Sequence, residues 1–434
     1  MSHQPQRVKV LVAGKAIDAS AIRHASHDFQ IDLHSARDRF GSAMCLCQSK
    51  SLPLVIRERG GKLFLAAWPE QAAAHALDCP FYSERSEGAQ THSNAGAIQR
   101  LGDRTTISLH HGLYKQAQHS ATNRSAAGPL VKVATVNSNK YARMHLWGLL
   151  HYLWEEAGLN RWIEGWSRDW GFLRYVVRRA AQSTFVDDAP LIQKLYIPPV
   201  WSEKKRVETS ERWRDFVAPL LLHHGQASIV ESGFVIGSVR SLEATQYGYV
   251  LKLHHMPERF YIDTKMAEIL AVYSRRGWSA LKHLDVVVHD DHKPHVVGAL
   301  RIRAAQSGRL VVVEAALMRV SPRYIPVDSS YEDVVARLLV KDGRSFVRPL
   351  HYDNHALRLP DFLLKDAKSA QGQPHTEGVA MFVYGATIAP VKKRKLEVAD
   401  RRAAADANLQ YWQWDAGTNA QPPPFPDKSN PPSV

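Results

Sequence analysis

Three cysteines near the N-terminus restrict the fold of this chain more than any other part of its sequence. Cys45, Cys47 and Cys79 are the only cysteines among 434 residues. His75 stands four residues before Cys79, so the set reads C-x-C, a gap, and then H-x-x-x-C. An odd number of cysteines argues against a disulfide framework, and their grouping with a histidine indicates a metal site.

The segment between the two ligand pairs has the pattern of a β-hairpin followed by a helix. Apolar runs at 54–59 and 62–66 flank a Gly-Gly pair, and glycine supplies the positive φ that a tight hairpin turn requires. Pro69 suits the first turn of a helix, which the sequence continues over 70–77 without a breaker.

On such a helix His75 and Cys79 lie one turn apart on the same face. A knuckle with two thiolates, a hairpin and a helix with two more ligands is the layout of a zinc-ribbon or treble-clef-like unit. Three thiolates and one imidazole fill the tetrahedral shell of zinc and leave no open position for a substrate water. We therefore expect a structural zinc held by Cys45, Cys47, His75 and Cys79. The alternative is three buried or free thiols beside a surface histidine.

Composition and charge limit the class of protein and its partners. Hydrophobic residues make up 45% and charged residues 23% of the chain, which excludes disorder of the whole. Lys plus Arg exceed Asp plus Glu by 56 − 42 = 14, which favours a polyanionic partner, nucleic acid first and an anionic membrane second. No run approaches the roughly 18 apolar residues of a membrane helix. The first residues hold too short an apolar stretch for a secretory signal. We expect a cytoplasmic protein without a membrane partner.

The chain divides into six predicted regions. They are a zinc-binding unit at 1–82, a linker or long loop at 83–139, a tryptophan-rich helical region at 140–216, a β-rich region at 217–328, a nuclease-like core at 329–415 and a tail at 416–434. The β-rich region is expected to contain a hairpin across 306–308. Six prolines between residues 422 and 434 predict that the tail is disordered.

The helical region is rich in tryptophan. Five of the 11 tryptophans fall here in two sets at helical spacing, Trp147 with Trp154, and Trp162 with Trp166 and Trp170. Gly158 is a natural end point between two helices. The second helix would carry four arginines, Arg168, Arg174, Arg178 and Arg179. This layout resembles a helix-turn-helix or winged helix. The alternative is a helical pair packed through tryptophan, with a solvated basic face.

The C-terminal region has the most informative order of elements. A helix is predicted at 329–340, strands at 346–352, 357–364 and 379–385, a basic helix at 391–409 and a strand at 411–414. This αβββαβ order, with Pro360-Asp361 at the second strand, resembles the core of the PD-(D/E)xK nuclease superfamily. The resemblance implies that Glu332 and Asp361 hold magnesium together with a further acid, while a lysine orients the attacking water.

The third predicted strand lacks the acid and the lysine of this superfamily and reads Phe382-Val383-Tyr384 instead. In the superfamily these two residues sometimes migrate to the following helix. Lys393 and Glu397 share a face there, because they are four residues apart. Any catalytic site would thus consist of Glu332, Asp361, Glu397 and Lys393. The alternatives are a degenerate core that binds without cutting, and an Asp361 that is only a turn residue after proline.

Over its whole length the sequence looks like the bacterial family catalogued as domain of unknown function 1173. The match is carried by the three cysteines, by the segment 150–159 and by Leu359-Pro360-Asp361-Phe362. Membership would imply a place on integrative conjugative elements and plasmids, without an established activity.

The fold expected from these patterns is an α+β multidomain protein. It has an N-terminal zinc-ribbon or treble-clef-like unit, central helical and β-rich regions, and a C-terminal restriction-endonuclease-like core. Our leading hypothesis is a zinc-stabilised, nucleic-acid-associated protein of a mobile genetic element, with DNA as its partner and a degenerate nuclease-like core. One alternative is a magnesium-dependent DNA endonuclease. The other is a non-enzymatic scaffold for conjugation or defence proteins encoded by the same element.

Overall fold

The computed structural model describes residues 9–18, 27–40, 42–59, 62–67, 74–76, 79, 81, 97–101, 103–110, 114–116, 143–222, 229–283, 293–305, 309–350, 359–368 and 378–429. Within these ranges the chain is a mixed α+β protein with several separate sheets. No helix in them combines the length and the apolar character needed to cross a membrane. Most of the predicted helix at 70–77 and of the predicted linker lies outside the described residues.

The N-terminal unit is a five-stranded antiparallel sheet packed against one helix. Its elements are β1 (Lys9–Val12), β2 (Lys15–Asp18), α1 (His27–Phe40), β3 (Ser42–Cys45), β4 (Leu52–Arg59) and β5 (Lys62–Ala67), and the strand order is β2-β1-β3-β4-β5. The predicted hairpin is confirmed as β4 and β5. The sequence patterns did not indicate α1, which buries Phe29, Leu33 and Ala36 along one face against the sheet.

The central part of the chain is built around a larger sheet. Its elements in chain order are β6 (Ile98–Leu101), β7 (Arg104–Ile107), β8 (Tyr114–Gln116), α2 (Leu146–Glu156), β9 (Arg161–Trp162), α3 (Trp170–Gln182), β10 (Thr184–Val186), β11 (Ala189–Pro190), β12 (Leu195–Tyr196), α4 (Arg206–Leu222), β13 (Ile229–Glu231), β14 (Gly233–Thr245), β15 (Gly248–Leu253), β16 (Arg259–Asp263), α5 (Thr264–Tyr273), α6 (Arg275–Lys282), β17 (His295–Ala304) and β18 (Leu310–Val320). The main strand order is β16-β15-β14-β17-β18, and β12 pairs in parallel with β14.

Both faces of this sheet are covered by helices. Along β17, Val297 and Ala299 pack with α2 and α3, whereas Val296 and Leu300 point the other way and pack with α4, α5 and α6. The predicted pairing of β17 with β18 is confirmed. Because the tryptophan-rich helices and the strands share one core, the boundary predicted at residue 216 does not coincide with a break in the packing.

Only the first tryptophan set lies on one helix. Trp147 and Trp154 belong to α2, and Gly158 adopts a φ of +68° just beyond its end. The prediction that Trp162, Trp166 and Trp170 share a helical face is wrong, because Trp162 lies on strand β9 and α3 begins at Trp170. The Asp169 side chain caps α3 by accepting a hydrogen bond from the Phe172 backbone N at 2.7 Å, which sets this later start.

The C-terminal elements follow the predicted αβββαβ order. They are α7 (Ser330–Lys341), β19 (Phe346–Val347), β20 (Phe362–Leu364), β21 (Val379–Tyr384), α8 (Pro390–Asp406) and β22 (Gln410–Asp415). The strand order is β22-β21-β20-β19-β9, with β21 and β22 parallel and the other pairs antiparallel. The edge strand β9 comes from the tryptophan-rich region and was not predicted.

The two helices of this unit pack on opposite faces of its sheet. Val379 and Met381 contact the core beneath α7, and the alternate residues Ala380 and Phe382 contact the core beneath α8. Glu332 on α7 and the basic residues of α8 therefore lie on different sides of the sheet.

The tail was predicted to be disordered, and residues 422–429 of it are among those that the structure describes. Its proline carbonyls serve as acceptors: the Trp412 Nε1 donates to the Pro424 oxygen at 3.1 Å, and Arg344 donates to the Pro426 oxygen at 2.8 Å. Further along, the backbone N of Ser429 donates to the Asp366 oxygen at 2.7 Å. Proline has no backbone N–H but keeps its carbonyl oxygen, so the prolines of this segment take part only as hydrogen-bond acceptors.

Candidate functional site

The first two predicted metal ligands lie where strand β3 ends. Cys45 is the last residue of β3 and pairs with Val10 of β1 on one side and with Leu52 of β4 on the other. Cys47 follows two residues later, in the turn towards β4. Because β3 lies between two neighbours, the sheet fixes the position from which both thiols project.

The other two ligands come from a short turn beyond β5. The Cys79 backbone N donates to the Ala76 carbonyl at 2.8 Å, which brings Cys79 back beside His75. The Ala76 backbone N donates to the Cys47 Sγ at 3.3 Å and ties the turn to the knuckle. His75, Cys45 and Cys79 are each at most 2% exposed and Cys47 is partly buried, so three of the four side chains lie in the interior.

The distances between these four side chains match a tetrahedral metal shell. The Cys45 and Cys79 sulfurs are 3.5 Å apart, and the His75 Nδ1 lies 3.4 Å from the Cys47 sulfur and 3.6 Å from the Cys79 sulfur. All four ligand atoms fall within 4.8 Å of one another. Zinc with bonds of about 2.3 Å to sulfur holds tetrahedral sulfur pairs about 3.8 Å apart. The cluster could therefore hold a metal ion such as zinc.

The electrostatics of the three thiols also fit a metal shell. Hydrogen bonding with Cys47 raises the pKa of Cys45 to about 11, while hydrogen bonding from Cys45 lowers the pKa of Cys47 far below its ordinary value. Hydrogen bonding with Cys45 and burial raise the pKa of Cys79. A divalent cation bound among the three sulfurs would favour the thiolate form of each.

The predicted catalytic residue Glu332 lies in the first turn of α7. The Ser329 side chain accepts a hydrogen bond from the Glu332 backbone N at 3.1 Å, and the Glu332 carboxylate accepts one from the Asp328 backbone N at 2.8 Å. Ser329 thereby caps α7, and the Glu332 carboxylate holds the residue before the cap. Glu332 is 5% exposed, so its carboxylate is also a buried acid.

Asp361 lies immediately before β20, as the resemblance to the nuclease superfamily implies. One of its carboxylate oxygens accepts a hydrogen bond from the Val383 backbone N at 2.7 Å, and its own backbone N donates to the Met381 carbonyl at 2.9 Å. Asp361 thus joins the start of β20 to β21. This anchoring role accounts for the residue without a metal.

Glu332 and Asp361 do converge, and they converge on the guanidinium of Arg348. An Arg348 nitrogen lies 3.1 Å from the Glu332 carboxylate, and another lies 3.9 Å from that of Asp361. A third acid, Asp328, contacts Arg348 at 2.9 Å and also pairs with Arg276. The acids that the nuclease pattern assigns to a metal are therefore neutralised by a buried cation of the protein.

Burial dominates the protonation of this cluster. It raises the pKa of Glu332 to about 8, against the opposing effect of Arg348, and the negative charges of Asp361 and Asp328 add to the rise. Burial also favours a higher pKa for Asp328. The guanidiniums of Arg348 and Arg276 outweigh it and hold the pKa of that carboxyl below its usual range. Burial thus favours the protonated form of Glu332, and the two arginines favour the ionised form of Asp328.

The other two predicted catalytic residues, Lys393 and Glu397, lie on α8, across the sheet from Glu332. The Lys393 ammonium forms an ion pair with Asp415 at the end of β22. Within the described part of the chain, the only group of three or more acids, cysteines and histidines close enough to share an ion is the cysteine–histidine cluster. The predicted set of Glu332, Asp361, Glu397 and Lys393 is therefore split between two faces.

Sequence reasoning overlooked Arg348 and Asp328. One signal was available: Arg348 follows the apolar pair Phe346-Val347 in a segment predicted to be a strand of the sheet. A charged side chain in such a segment requires a partner of opposite charge. The sequence could therefore indicate that Arg348 needs an acidic partner. Which acids these are depends on tertiary packing.

Comparison with known proteins yields one match. The family model described as "Protein of unknown function (DUF1173)" covers residues 16–417. No curated protein and no solved structure matches the chain.

Proposed function

The chain belongs to the DUF1173 family, and from its own residues we propose that it is a zinc-stabilised, nucleic-acid-associated protein of a mobile genetic element. Its C-terminal nuclease-like core binds DNA without cutting it. The cysteine–histidine cluster supports the proposed zinc ion. The resemblance of the sequence to this family supports the proposed place on a mobile element. Partner proteins encoded by the same element remain compatible with this role.

Helix α8 supports binding to a polyanion. Lys392, Arg394 and Lys395 are exposed in its first turns and form no ion pair within the described part of the chain. With an excess of 14 positive charges over the whole chain, this helix presents a basic surface that phosphates can approach freely.

The arginines of the tryptophan-rich region fit this role less well than the sequence suggested. Arg168 is buried in the loop before α3 and donates to backbone carbonyls, including that of Leu159 at 2.6 Å. Arg174 donates to the Ile197 carbonyl at 2.9 Å, and the Arg179 guanidinium lies 4.4 Å from the centre of the Phe64 ring. These three arginines hold the fold together, so the phosphate contacts are assigned to α8.

The position of Arg348 is the observation that favours DNA binding without cleavage. Magnesium requires several free carboxylate oxygens, and a guanidinium among these acids both occupies their lone pairs and repels a second cation. The lysine that would orient water is paired with Asp415 on the other face. The scaffold alternative rests on exposed tryptophans, yet Trp154, Trp162 and Trp170 are at most 4% exposed.

The double variant Lys392→Gln/Lys395→Gln tests the assignment of the binding surface. We expect it to weaken binding to a duplex oligonucleotide and to reduce the slope of log K against log salt by about 2, one unit per lost phosphate contact. The measurement is a fluorescence anisotropy titration between about 50 and 200 mM salt.

The matched control is Lys204→Gln/Lys205→Gln, which removes the same charge from an exposed turn before α4. It should leave the salt slope close to that of the wild type. Equal slopes for the wild type and the α8 variant, or wild-type binding that ignores salt, would overturn the proposal.

A further inference from the structure

One arginine of the tryptophan-rich region, Arg178 on α3, makes no ion pair and no hydrogen bond with any residue that the structure describes. Two more guanidiniums act on it or beside it, those of Arg174, one turn earlier on α3, and of Arg212 on α4. Within the described part of the chain, the one carboxylate that pairs with any of the three is Glu208, which contacts Arg212. Three positive charges therefore meet one negative charge between these helices.

The segment that follows β12 connects α3 with α4 and brings the arginines together. The Arg174 Nε donates to the Ile197 carbonyl at 2.9 Å. The ring of the preceding residue, Tyr196, lies 4.9 Å from that of Trp213, the neighbour of Arg212 on α4. Both helices are thus anchored on two adjacent residues of one segment, which fixes the guanidiniums beside each other.

The charges of this cluster repel one another. Burial lowers the pKa of Arg174 and of Arg178, and the charge of Arg212 lowers both further. Among the described residues, no carboxylate opposes this effect at either position. Arginine nevertheless stays charged at neutral pH, so the repulsion persists until a partner supplies negative charge.

An exposed aromatic ring lies on the same face of α3 as two of these arginines. Arg174, Tyr175 and Arg178 fall within an arc of about 100°, because an α-helix has about 3.6 residues per turn. Tyr175 is 51% exposed. Its hydroxyl accepts a hydrogen bond from Arg179, which holds the ring in place while one of its faces remains accessible.

A second exposed aromatic residue, Trp201, lies near the first turn of α3. A Cβ at Gly171 would lie 3.7 Å from the Cγ2 of Val200, the residue before Trp201. Gly171 belongs to the same arc of the helix and stands one turn before Tyr175. Trp201 is 43% exposed. Two accessible aromatic rings and three guanidiniums therefore share one surface.

We propose that this α3 surface, formed by Arg174, Tyr175, Arg178, Trp201 and Arg212, binds single-stranded nucleic acid. The arginines contact backbone phosphates, and unpaired bases stack on the two aromatic rings. A duplex keeps its bases stacked on one another, and an acidic peptide offers carboxylates without bases, so neither uses the rings. The inference rests on the proposed association with nucleic acid, but it concerns a surface separate from α8.

Fluorescence anisotropy titration of the full chain with a labelled oligothymidylate of about 12 nucleotides tests the stacking contacts. Tyr175→Ala should weaken binding at least about fivefold, the lower end of what one stacked base contributes. Tyr175→Phe keeps the ring and loses only the hydroxyl, so it should bind like the wild type. Tyr247→Ala is the control, because it removes a tyrosine that is 78% exposed in the turn between β14 and β15.

Arg178→Gln tests the phosphate contacts. It should reduce the slope of log K against log salt for the oligothymidylate by about 0.7, the change expected for one phosphate contact on a single strand. Arg323→Gln removes an exposed arginine outside the α3 surface and should leave the slope unchanged. Thermal unfolding verifies that each variant is folded.

Repeating the titrations in the Lys392→Gln/Lys395→Gln background prevents binding at α8 from masking the differences. Loss of single-strand binding in Tyr175→Ala with duplex binding intact supports the inference. Equal binding by Tyr175→Ala and the wild type, or equal losses in Tyr175→Ala and Tyr175→Phe, overturns it. Polyglutamate that displaces the oligothymidylate as well as the unlabelled strand does would also overturn it, in favour of an acidic peptide.

The two proposals fail in distinguishable ways. If Tyr175→Ala and Arg178→Gln match the wild type on single strands while Lys392→Gln/Lys395→Gln still weakens duplex binding, the α3 surface alone is wrong. If the wild type binds neither single strands nor duplex, the proposed function is wrong as well.

Discussion

Arg348 determines the chemistry of the C-terminal unit at the scale of single residues. Its guanidinium is 4% exposed and meets the carboxylates of Asp328, Glu332 and Asp361. Removing a charge from water is costly, and a buried guanidinium is stable only where several carboxylates compensate it. The same acids that resemble a magnesium site are thus the partners that this arginine requires.

Glu332→Gln should change how stability depends on pH. Burial raises the pKa of Glu332 to about 8, whereas a glutamate in the unfolded chain titrates near 4.3. Between these values the folded protein binds a proton that the unfolded chain releases, so the free energy of unfolding falls as the pH rises, by up to about 1.4 kcal/mol per pH unit. Glutamine cannot ionise, so the variant should lose less stability between about pH 5 and pH 8 than the wild type.

Urea unfolding followed by tryptophan fluorescence at several pH values measures this difference. Glu268→Gln on the exposed side of α5 is the control and should follow the wild-type curve. Parallel curves for Glu332→Gln and the wild type would mean that Glu332 is already ionised in the folded protein.

At the scale of secondary-structure elements, local signals predicted well and long-range pairing did not. The pairing of β4 with β5 and the αβββαβ order both follow from patterns of neighbouring residues, and both are present. The edge strand β9 and the start of α3 were missed, because a two-residue strand acquires its identity only from its partner β19. The contacts of the tail were also missed because they are long-range. Proline content does not indicate which side chains donate hydrogen bonds to the proline carbonyls.

The four predicted metal ligands lie together because they are close in sequence and follow elements with clear signals. His75 and Cys79 are four residues apart, and Cys45 and Cys47 two. The predicted catalytic set failed to meet because Glu332 and Glu397 belong to helices on opposite faces of one sheet. Sequence order does not reveal the face on which a helix packs.

Zinc should stabilise the N-terminal sheet as one element. We expect purified wild-type protein to contain one zinc per chain by elemental mass spectrometry, and Cys47→Ser to retain much less, because it removes one of four ligands. Hydrogen exchange should then increase across β3, β4 and β5 and remain unchanged in β20 and β21.

Gln48→Ala alters the exposed neighbour of Cys47 and serves as the control, with zinc content and exchange expected to match the wild type. Wild-type protein without zinc would mean that the cluster consists of free thiols, and Cys47→Ser with a full complement of zinc would mean that Cys47 is not a ligand.

At the scale of the whole molecule, the predicted regions are joined rather than separate. Strand β9 places Trp162 in the C-terminal core, and the central helices share a core with β14, β17 and β18.

The central claim is that the nuclease-like core binds DNA and does not cut it. The most direct test incubates the full chain with plasmid, linear and single-stranded DNA in magnesium or manganese, and analyses each reaction on native and denaturing gels. The account predicts DNA that is retarded on the native gel and intact on the denaturing gel. Cleavage by the wild type that Asp361→Ala abolishes would contradict it, because Asp361 would then hold a catalytic metal despite Arg348.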